Sequence, residues 1–272
     1  ASNSELSLGN RRVYSIQTLR GLAAWAGVFS HIMQIFYKFE FETFPGMLFS
    51  RYGAFGVFVF FIISGFVMHQ TARHRNHNAL QFCAGRIVRI VPAYWVASLV
   101  FVLIVVLGIV PQTSPFSEWN VPNLLYSIVF IPHEHASGTG EYPVLSVGWS
   151  LDYEIFFYAI LAFSILVFRR YAIFVTAFVI AILPILKPDL GAWSNIAQSK
   201  SLFYFLAGII LSAAWDKRVF QIGSSAVQLT FALILFAVAI FCLWLPIPSE
   251  RYFFCILIVG AFLFLEPWFQ RS

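Results

Sequence analysis

The sequence predicts an all-α protein whose helices form a polytopic transmembrane bundle. Its 272 residues are 60% hydrophobic and only 11% charged, whereas a soluble domain averages about 25% charged residues. Apolar runs close to the ~20 residues that cross a bilayer recur along the chain. No repeat or polar domain interrupts them, so we expect a single transmembrane domain over residues 1–272. A soluble protein with a very large core is the alternative, and the recurring runs argue against it.

Eight apolar stretches are the candidate spans. Their approximate limits are 17–37, 52–70, 90–110, 146–168, 171–187, 198–215, 227–246 and 252–267. The fifth is short, and we expect Pro184 and Pro188 to end it because proline disrupts helical hydrogen bonding. A loop over about 111–145 contains no Lys or Arg. We expect a short helix near 121–130 within this loop.

The charge pattern predicts the orientation of the chain. A formal net charge of +5 would suit nucleic-acid binding in a soluble protein. Here, however, most cations lie in short loops on one side of the predicted spans. The opposite side has only Lys38, Arg51, Lys187, Lys200 and Arg251. The positive-inside rule therefore places both termini in the cytoplasm, and we expect no nucleic-acid partner.

The cysteine and histidine spacing predicts neither a disulfide framework nor a metal site. The three cysteines are far apart and form no C-x-x-C pair. His133 and His135 have no clear third ligand, and a metal site needs several ligands in a fixed geometry. We expect His69, His74 and His77 to lie in a cytoplasmic loop, also without a metal.

His31 is the first candidate for chemistry. It lies in the outer half of the first span, which contains Arg20 near its other end. Ionisable groups inside a membrane span are expensive and are functional candidates by default. An imidazole titrates near neutral pH, so His31 can serve as a general base. A hydrogen-bonded structural histidine is the alternative.

Glu154 is the second candidate, and its expected depth matches that of His31. At 1.5 Å per residue, His31 lies ~9 Å and Glu154 ~12 Å below the outer ends of their spans. A buried carboxylate needs a partner, so we expect these two side chains to hydrogen-bond and Glu154 to orient the imidazole. The alternative is an ion pair that only joins two helices. We interpret Asp152 as an acidic residue at the start of the helix, nearer the membrane surface.

Arg86 and Arg89 are candidates for phosphate binding at the cytoplasmic start of the third span. They are three residues apart and share one face of a helix. Two guanidiniums on one face suit bidentate binding of phosphate. Positive-inside anchoring, with Tyr94 and Trp95 as interfacial aromatics, is the alternative.

Small residues in the second span permit a close neighbour. Gly53, Gly56 and Gly65 allow a helix or a ligand to approach the backbone, and Ser64 adds a hydroxyl group. Small residues of this kind are also ordinary at membrane helix interfaces.

Together these stretches resemble the membrane acyltransferase-3 family. Members typically show Leu-Arg-Gly with a His about ten residues later, as in Leu19-Arg20-Gly21 and His31. A second motif matches Gly56-Val57 through Ser64-Gly65-Phe66, a third matches Arg86 to Trp95, and a fourth matches Trp149 to Glu154. The resemblance covers about residues 13–215. Members usually have about ten spans, whereas eight are predicted here. We therefore expect a shortened chain, a fragment or a broken helix that the count missed.

The resemblance implies an enzyme of a bacterial cytoplasmic membrane that transfers an acyl group, usually acetyl from acetyl-CoA, to a glycan or lipid-linked sugar. Carried over by position, His31 and Glu154 would be the catalytic pair. Arg86 and Arg89 would hold the CoA phosphates. The other predicted substrate-binding residues are Arg20, Ser64, Gly65, Tyr94 and Trp149. Acyl-CoA would be a substrate, and no permanently bound cofactor or metal is expected.

Two mechanisms and two other functions stay open at this point. His31 could deprotonate a sugar hydroxyl that attacks the thioester, or it could become acylated itself. In a proton-coupled transporter or flippase, His31 and Glu154 would instead form a proton relay, although no inverted repeat of the transporter type is present. A purely structural membrane subunit is the third possibility.

Overall fold

A computed structural model describes residues 13–37, 53, 55–74, 78–109, 117–244 and 250–270. The α-helices in these ranges are α1 (Tyr14–Tyr37), α2 (Phe55–His74), α3 (Ala79–Val106), α4 (Val121–Ile128), α5 (Trp149–Phe168), α6 (Ala172–Leu186), α7 (Ser194–Ala197), α8 (Leu202–Asp216), α9 (Ser225–Cys242), α10 (Glu250–Phe264) and α11 (Glu266–Phe269). The described residues contain no β-strand, and Glu134 and Glu141 form an isolated antiparallel bridge. The predicted all-α class is therefore confirmed.

Several of the helices are long and apolar enough to cross a membrane. Four such stretches are Phe55–Ala72, Ala79–Val106, Ser146–Leu186 and Ser225–Cys242, and a bent pair, Gly191–Ala197 with Leu202–Asp216, is a fifth. Helix α1 is not among them, since Arg20, His31 and other polar residues lower its hydropathy. The count of eight spans and the cytoplasmic termini stay predictions.

Helices lie in all the predicted stretches, but some ends differ from the prediction. Helix α3 begins at Ala79, eleven residues before the expected limit, because the Asn78 side chain accepts the backbone N–H groups of Leu80 and Gln81. Arg86 and Arg89 thus lie well inside this helix and not at its start. The expected short helix near 121–130 is α4.

The end of α6 shows which proline stops the helix. Pro184 lies inside α6, contrary to expectation, whereas the helix ends at Leu186, before Lys187 and Pro188. The residue before a proline is disfavoured in the α region, and Lys187 has a left-handed backbone with φ 48°. Pro188 therefore ends the helix. The sixth predicted span corresponds to α8, and the short helix α7 precedes it.

The chain divides into two compact units. The first unit comprises Ala1–His74 and Phe203–Ser272, and the second comprises Arg75–Leu202. The first unit thus contains α1, α2 and the helices from α8 onward, and the second contains α3 to α7. We describe each unit separately.

Two glycines allow α2 and α8 of the first unit to touch backbone to backbone. A Cβ atom at Gly65 would overlap the carbonyl oxygen of Phe205, and a Cβ atom at Gly208 would overlap that of Ile62. Gly56 makes a similar approach to the carbonyl oxygen of Ala23 in α1, 2.5 Å from an added Cβ. Membrane helices associate largely through such close packing. The predicted role of the small residues in close approach fits these contacts.

The N-terminus of α1 is capped from the far end of the chain. The carboxylate of Glu266 accepts the backbone N–H groups of Tyr14 at 2.9 Å and of Ser15 at 2.7 Å. The first N–H groups of a helix have no partner within the helix, and a negative charge is favoured there. Glu266 is only 2% exposed, so its charge is held by these N–H groups and by the Gln270 amide.

In the second unit, α5 packs against both α3 and α6. Tyr94 of α3 lies against the start of α5, where an added Cβ atom at Gly148 would come within 2.6 Å of its ring. Gly148 is therefore the residue that lets the aromatic ring reach the first turn of α5. The antiparallel course of α3 and α5 then places Arg86 beside the middle of α5.

We predict that Glu266→Ala destabilises the first unit. The change leaves the partly buried N–H of Tyr14 and the buried N–H of Ser15 without an acceptor, and an unsatisfied buried donor costs about 1–3 kcal/mol. The expected result is a lower melting temperature of the purified protein in detergent, with Glu266→Gln intermediate because it keeps one acceptor oxygen. The control is Glu141→Ala, which removes an exposed carboxylate. Equal melting temperatures for Glu266→Ala and Glu141→Ala would contradict the capping role.

Candidate functional site

A carboxylate, a phenol and a guanidinium meet between α3 and α5 in the second unit. The Tyr158 hydroxyl donates a hydrogen bond to Oε1 of Glu154, one turn earlier on the same helix. The guanidinium carbon of Arg86 lies 5.7 Å from the centroids of both the Phe82 and the Tyr158 rings. Arg86 also interacts electrostatically with Glu154. We call Arg86, Tyr158 and Glu154 the polar cluster.

The polar cluster compensates for the placement of two half-buried charged side chains among apolar helices. Burial of a lone charge is very unfavourable, so a buried charge needs an opposite charge and hydrogen bonds. Arg86 supplies the opposite charge, and its cationic face is also attracted to the two aromatic rings. The buried Tyr158 supplies the hydrogen bond. The cluster therefore holds Glu154 in one orientation.

The surroundings of Arg86 differ from those expected of a phosphate ligand. Arg86 is half-buried against Phe82 and Tyr158, whereas Arg89, one turn later, is exposed. The two arginines are close enough to interact electrostatically, but they face different environments. The sequence reasoning missed Tyr158 and Phe82. The sequence does contain a signal for Tyr158: it lies four residues after Glu154, and residues four apart share a helix face.

A second group of polar side chains surrounds Tyr94. The Tyr94 ring is 4% exposed and lies 4.8 Å from the ring of Phe130, and the buried side chains of Ser98 and Ser127 lie near its hydroxyl. Asp152 lies near it and is 9% exposed. Asp152 does belong to the first turn of α5, as predicted. It is nonetheless buried in the unit.

Of the tryptophans in the third and fourth motifs, Trp149 packs within its own helix and Trp95 joins two helices. Trp149 is half-buried and packs edge-on against Tyr153, with ring centroids 5.7 Å apart. Trp95 is exposed, and its indole Nε1 donates a 2.9 Å hydrogen bond to the carbonyl of Ile128 in α4. Trp95 therefore links α3 to the short helix of the long loop.

The loop after α4 is ordered by its own polar groups. The Asn123 amide donates to the carbonyl of Glu134 at 2.6 Å, and the Ser127 hydroxyl accepts the N–H of Val144 at 2.9 Å. His135 is 2% exposed and its Nδ1 lies 2.8 Å from the Ser137 hydroxyl. Across the described residues, no three His, Cys, Asp or Glu side chains are grouped so as to hold a metal ion.

The other predicted site residues lie in the first unit. Arg20 and His31 are half-buried on α1, and their separation of about three turns places them on one face, roughly 16 Å apart along the axis. Ser64 and Gly65 are buried in α2. His31 and Glu154 belong to different units, so their contact stays a prediction.

Helix α2 also has a buried polar network that the sequence analysis placed in a loop. His69 and His74 lie within α2, and Nδ1 of His69 lies 2.9 Å from the hydroxyl of Ser212 in α8. Gln70 donates to Ser212 and to Asp216 at 2.9 and 2.8 Å. These contacts join the same two helices that meet at Gly65. His77 lies outside the described residues.

The sequence profile of the acyltransferase domain in the acyltransferase-3 family matches residues 13–271. The chain belongs to this family. The exopolysaccharide production protein ExoZ of Rhizobium meliloti (strain 1021) is 33% identical to it over 168 residues, which are 61% of this chain and 52% of that protein. The chain thus spans about half the length of the curated relative it matches. No solved structure matches the chain significantly.

Family membership confirms the resemblance seen in the four motifs. The residues of those motifs lie on four helices: the first and second motifs on α1 and α2, the third on α3 and the fourth at the start of α5. Within this acyltransferase domain, the described geometry links Arg86 of the third motif to Glu154 of the fourth through Tyr158.

We predict that Tyr158→Phe destabilises the second unit. The change removes the hydroxyl that donates to Glu154 but keeps the ring beside Arg86. A hydrogen bond to a charged group typically contributes about 1.5–3 kcal/mol, and the half-buried position of Glu154 places the expected loss at the lower end of this range, so the melting temperature should fall. Tyr126→Phe is the matched control because that ring is 47% exposed. If the Tyr158→Phe and Tyr126→Phe proteins have the same melting temperature, the Tyr158 hydroxyl contributes nothing to stability.

The environment of His135 in this loop predicts that the stability of the protein depends on pH. Burial, reinforced by the charge of His133, lowers the pKa of His135 below 6.5, and Glu118 opposes this shift. Below pH 6.5 the unfolded chain then binds a proton that the folded chain does not, so stability falls as the pH drops from 6.5 to the folded-state pKa. We expect the melting temperature to fall less between pH 7.5 and pH 5.5 in His135→Gln than in the wild type. An identical fall in both proteins would contradict this.

Proposed function

We propose that this protein transfers an acyl group, in the simplest case acetyl, from acyl-CoA to a hydroxyl of an exopolysaccharide or its lipid-linked precursor. Three findings support the proposal. The chain belongs to an acyltransferase family, the similar protein ExoZ is an exopolysaccharide production protein, and several helices of this chain are apolar enough to cross a membrane. A bacterial cytoplasmic membrane is the location that we propose with it.

The observation that most supports a catalytic site is the polar cluster. A carboxylate, a guanidinium and a phenol lie on helices that are otherwise strongly apolar, and both helices belong to stretches that could cross a membrane. Ionisable side chains at such positions mark sites of function more often than sites of structure. The hydrogen bond from Tyr158 gives the Glu154 carboxylate a fixed orientation.

We assign the role of general base to His31. Its imidazole would take the proton of a sugar hydroxyl while the hydroxyl oxygen attacks the thioester carbon. The new ester C–O bond forms, the C–S bond breaks, and the proton passes to the departing CoA thiolate. Glu154 would orient the ring and stabilise the imidazolium, in the manner of the carboxylate in a catalytic triad. Transient acylation of His31 is the alternative course of the same reaction.

The remaining predicted residues take supporting roles in this proposal. Arg20, Ser64 and Gly65 would line the path of the acyl group. Arg89 is exposed and would contact a donor phosphate. Arg86 would instead stabilise the charge of Glu154, because its guanidinium already lies against the Tyr158 ring and interacts with Glu154.

The test is CoA-dependent acylation of purified exopolysaccharide or lipid-linked oligosaccharide by the purified protein. General base catalysis contributes about 10²–10⁴-fold, so His31→Ala should lower kcat by a factor in this range. Glu154→Gln should lower kcat while leaving KM for the donor largely unchanged. Arg89→Gln should instead raise KM for acyl-CoA. Arg218→Gln, which removes an exposed cation elsewhere, is the control.

Two outcomes would contradict the assignment. Turnover by His31→Ala close to that of the wild type would exclude His31 as the base. Proton-coupled glycan uptake in liposomes without any acyl donor, together with no acyl transfer, would favour the transporter or flippase.

A further inference from the structure

A cleft opens at one end of the α3–α5 helix pair in the second unit. It has a volume of 770 Å³ and is lined by the start of α3 and by the end of α5 with the turn that follows. Its lining residues include Asn78, Leu80, Phe168, Arg169, Arg170 and Tyr171. Small-molecule sites commonly have volumes of about 300–1,000 Å³. The cleft is therefore large enough for a nucleotide.

The cleft is positively charged. Arg169 and Arg170 line it, and none of its lining residues is acidic. The N-terminus of the 28-residue helix α3 also faces it, and no acidic residue occupies the first turn of that helix. A helix N-terminus has a partial positive charge, which here adds to the two guanidinium charges. The combination favours an anionic ligand.

The backbone at Arg169 is strained. Arg169 directly follows α5 with φ 45° and ψ −107°, and positive φ values are unfavourable for a residue with a Cβ atom. Glycine would fit this position better. Strained residues of this kind cluster at ligand sites, where a side chain is held in place despite the energetic cost. Arg170 is positioned too, since its guanidinium carbon lies 4.7 Å from the Tyr171 ring centroid.

We propose that this cleft binds the phosphorylated nucleotide end of the acyl-CoA donor, an inference that rests on the function proposed above. Planar guanidinium groups bind phosphate through paired hydrogen bonds. Two adjacent arginines suit the 3′-phosphate of CoA, while Arg89, farther along α3, would contact the pyrophosphate as proposed above. The exposed faces of Phe168 and Tyr171 provide apolar surface for the adenine ring.

The helix pair leads from this cleft to the polar cluster. Arg86 lies seven residues into α3, roughly 10 Å from its start, and Tyr158 lies ten residues before the end of α5, roughly 15 Å away, at 1.5 Å per residue. The pantetheine arm of a donor bound in the cleft can thus extend along α3 and α5 toward Glu154. This placement also fits the finding that Arg86 is already engaged with the cluster.

The competing explanation is that Arg169 and Arg170 only anchor the helix end among anionic lipid headgroups. That role is common for arginines at the cytoplasmic ends of spans. Lipid anchoring needs positive charge near the surface, but it needs neither a cleft nor a strained backbone at one arginine. The two explanations therefore differ in the ligand that they predict, a nucleotide or a lipid headgroup. They also differ in whether the backbone conformation of Arg169 matters for binding.

The experiment measures binding of 3′,5′-ADP, the nucleotide end of CoA, to the purified full chain in nanodiscs of zwitterionic lipid. We expect Arg169→Gln combined with Arg170→Gln to weaken binding at least tenfold. Arg169→Gly should raise the melting temperature, because it relieves the strain, and should weaken binding severalfold. Arg218→Gly is the matched control: Arg218 also has a positive φ, 59°, but does not line the cleft. It should raise the melting temperature without affecting binding.

The results separate this inference from the proposed function. No 3′,5′-ADP binding by the wild type, or unchanged binding by the folded double variant, overturns the cleft assignment. If the double variant binds the nucleotide as the wild type does but no longer associates with phosphatidylglycerol vesicles, the two arginines bind lipid. That result also overturns the cleft assignment. If the wild type binds 3′,5′-ADP through these arginines but transfers no acyl group to any glycan, the cleft assignment holds and the proposed function fails.

Discussion

The carboxylate of Glu266 is the contact on which the position of α1 depends. It accepts N–H groups from Tyr14 and Ser15, about 250 residues earlier in the chain. Water is scarce among apolar helices, so the N–H groups at a helix start must find partners within the protein. One buried acid therefore joins the last described helix of the first unit to the first. Because α1 contains Arg20 and His31, the same contact fixes where those two side chains are presented.

The remainder of the first unit follows from the weak driving force for helix association in lipid. Lipid tails are as apolar as leucine side chains, so close packing and interhelical hydrogen bonds must hold membrane helices together. Gly65 and Gly208 bring the backbones of α2 and α8 into contact. The hydrogen bonds of Ser212 with His69 and Gln70 then join the same helices farther along. Ser64 is thereby held in a closely packed helix pair.

In the second unit, one helix pair contains both the polar cluster and the charged cleft. Arg86 contributes its charge to Glu154, and the arginines that follow α5 face the cleft. This arrangement divides the cations by environment: a half-buried cation stabilises a half-buried carboxylate, whereas exposed cations can exchange water for a phosphate ligand. The same division explains why adjacent motif arginines, Arg86 and Arg89, need not have the same role.

The sequence alone determined the all-α class, the positions of the apolar helices and the family, because apolar runs and short motifs are local features. It correctly placed α4 within the long loop and Asp152 in the first turn of α5. Only the tertiary structure decided that Glu266 caps α1, that Arg86 lies beside Tyr158 and Glu154, and that Asp152 is buried near Tyr94. Each of these contacts joins residues far apart in the chain, and such pairs follow from helix packing and not from any local pattern. The strained backbone of Arg169 likewise depends on how α5 ends against α6, since arginine has no local preference for positive φ.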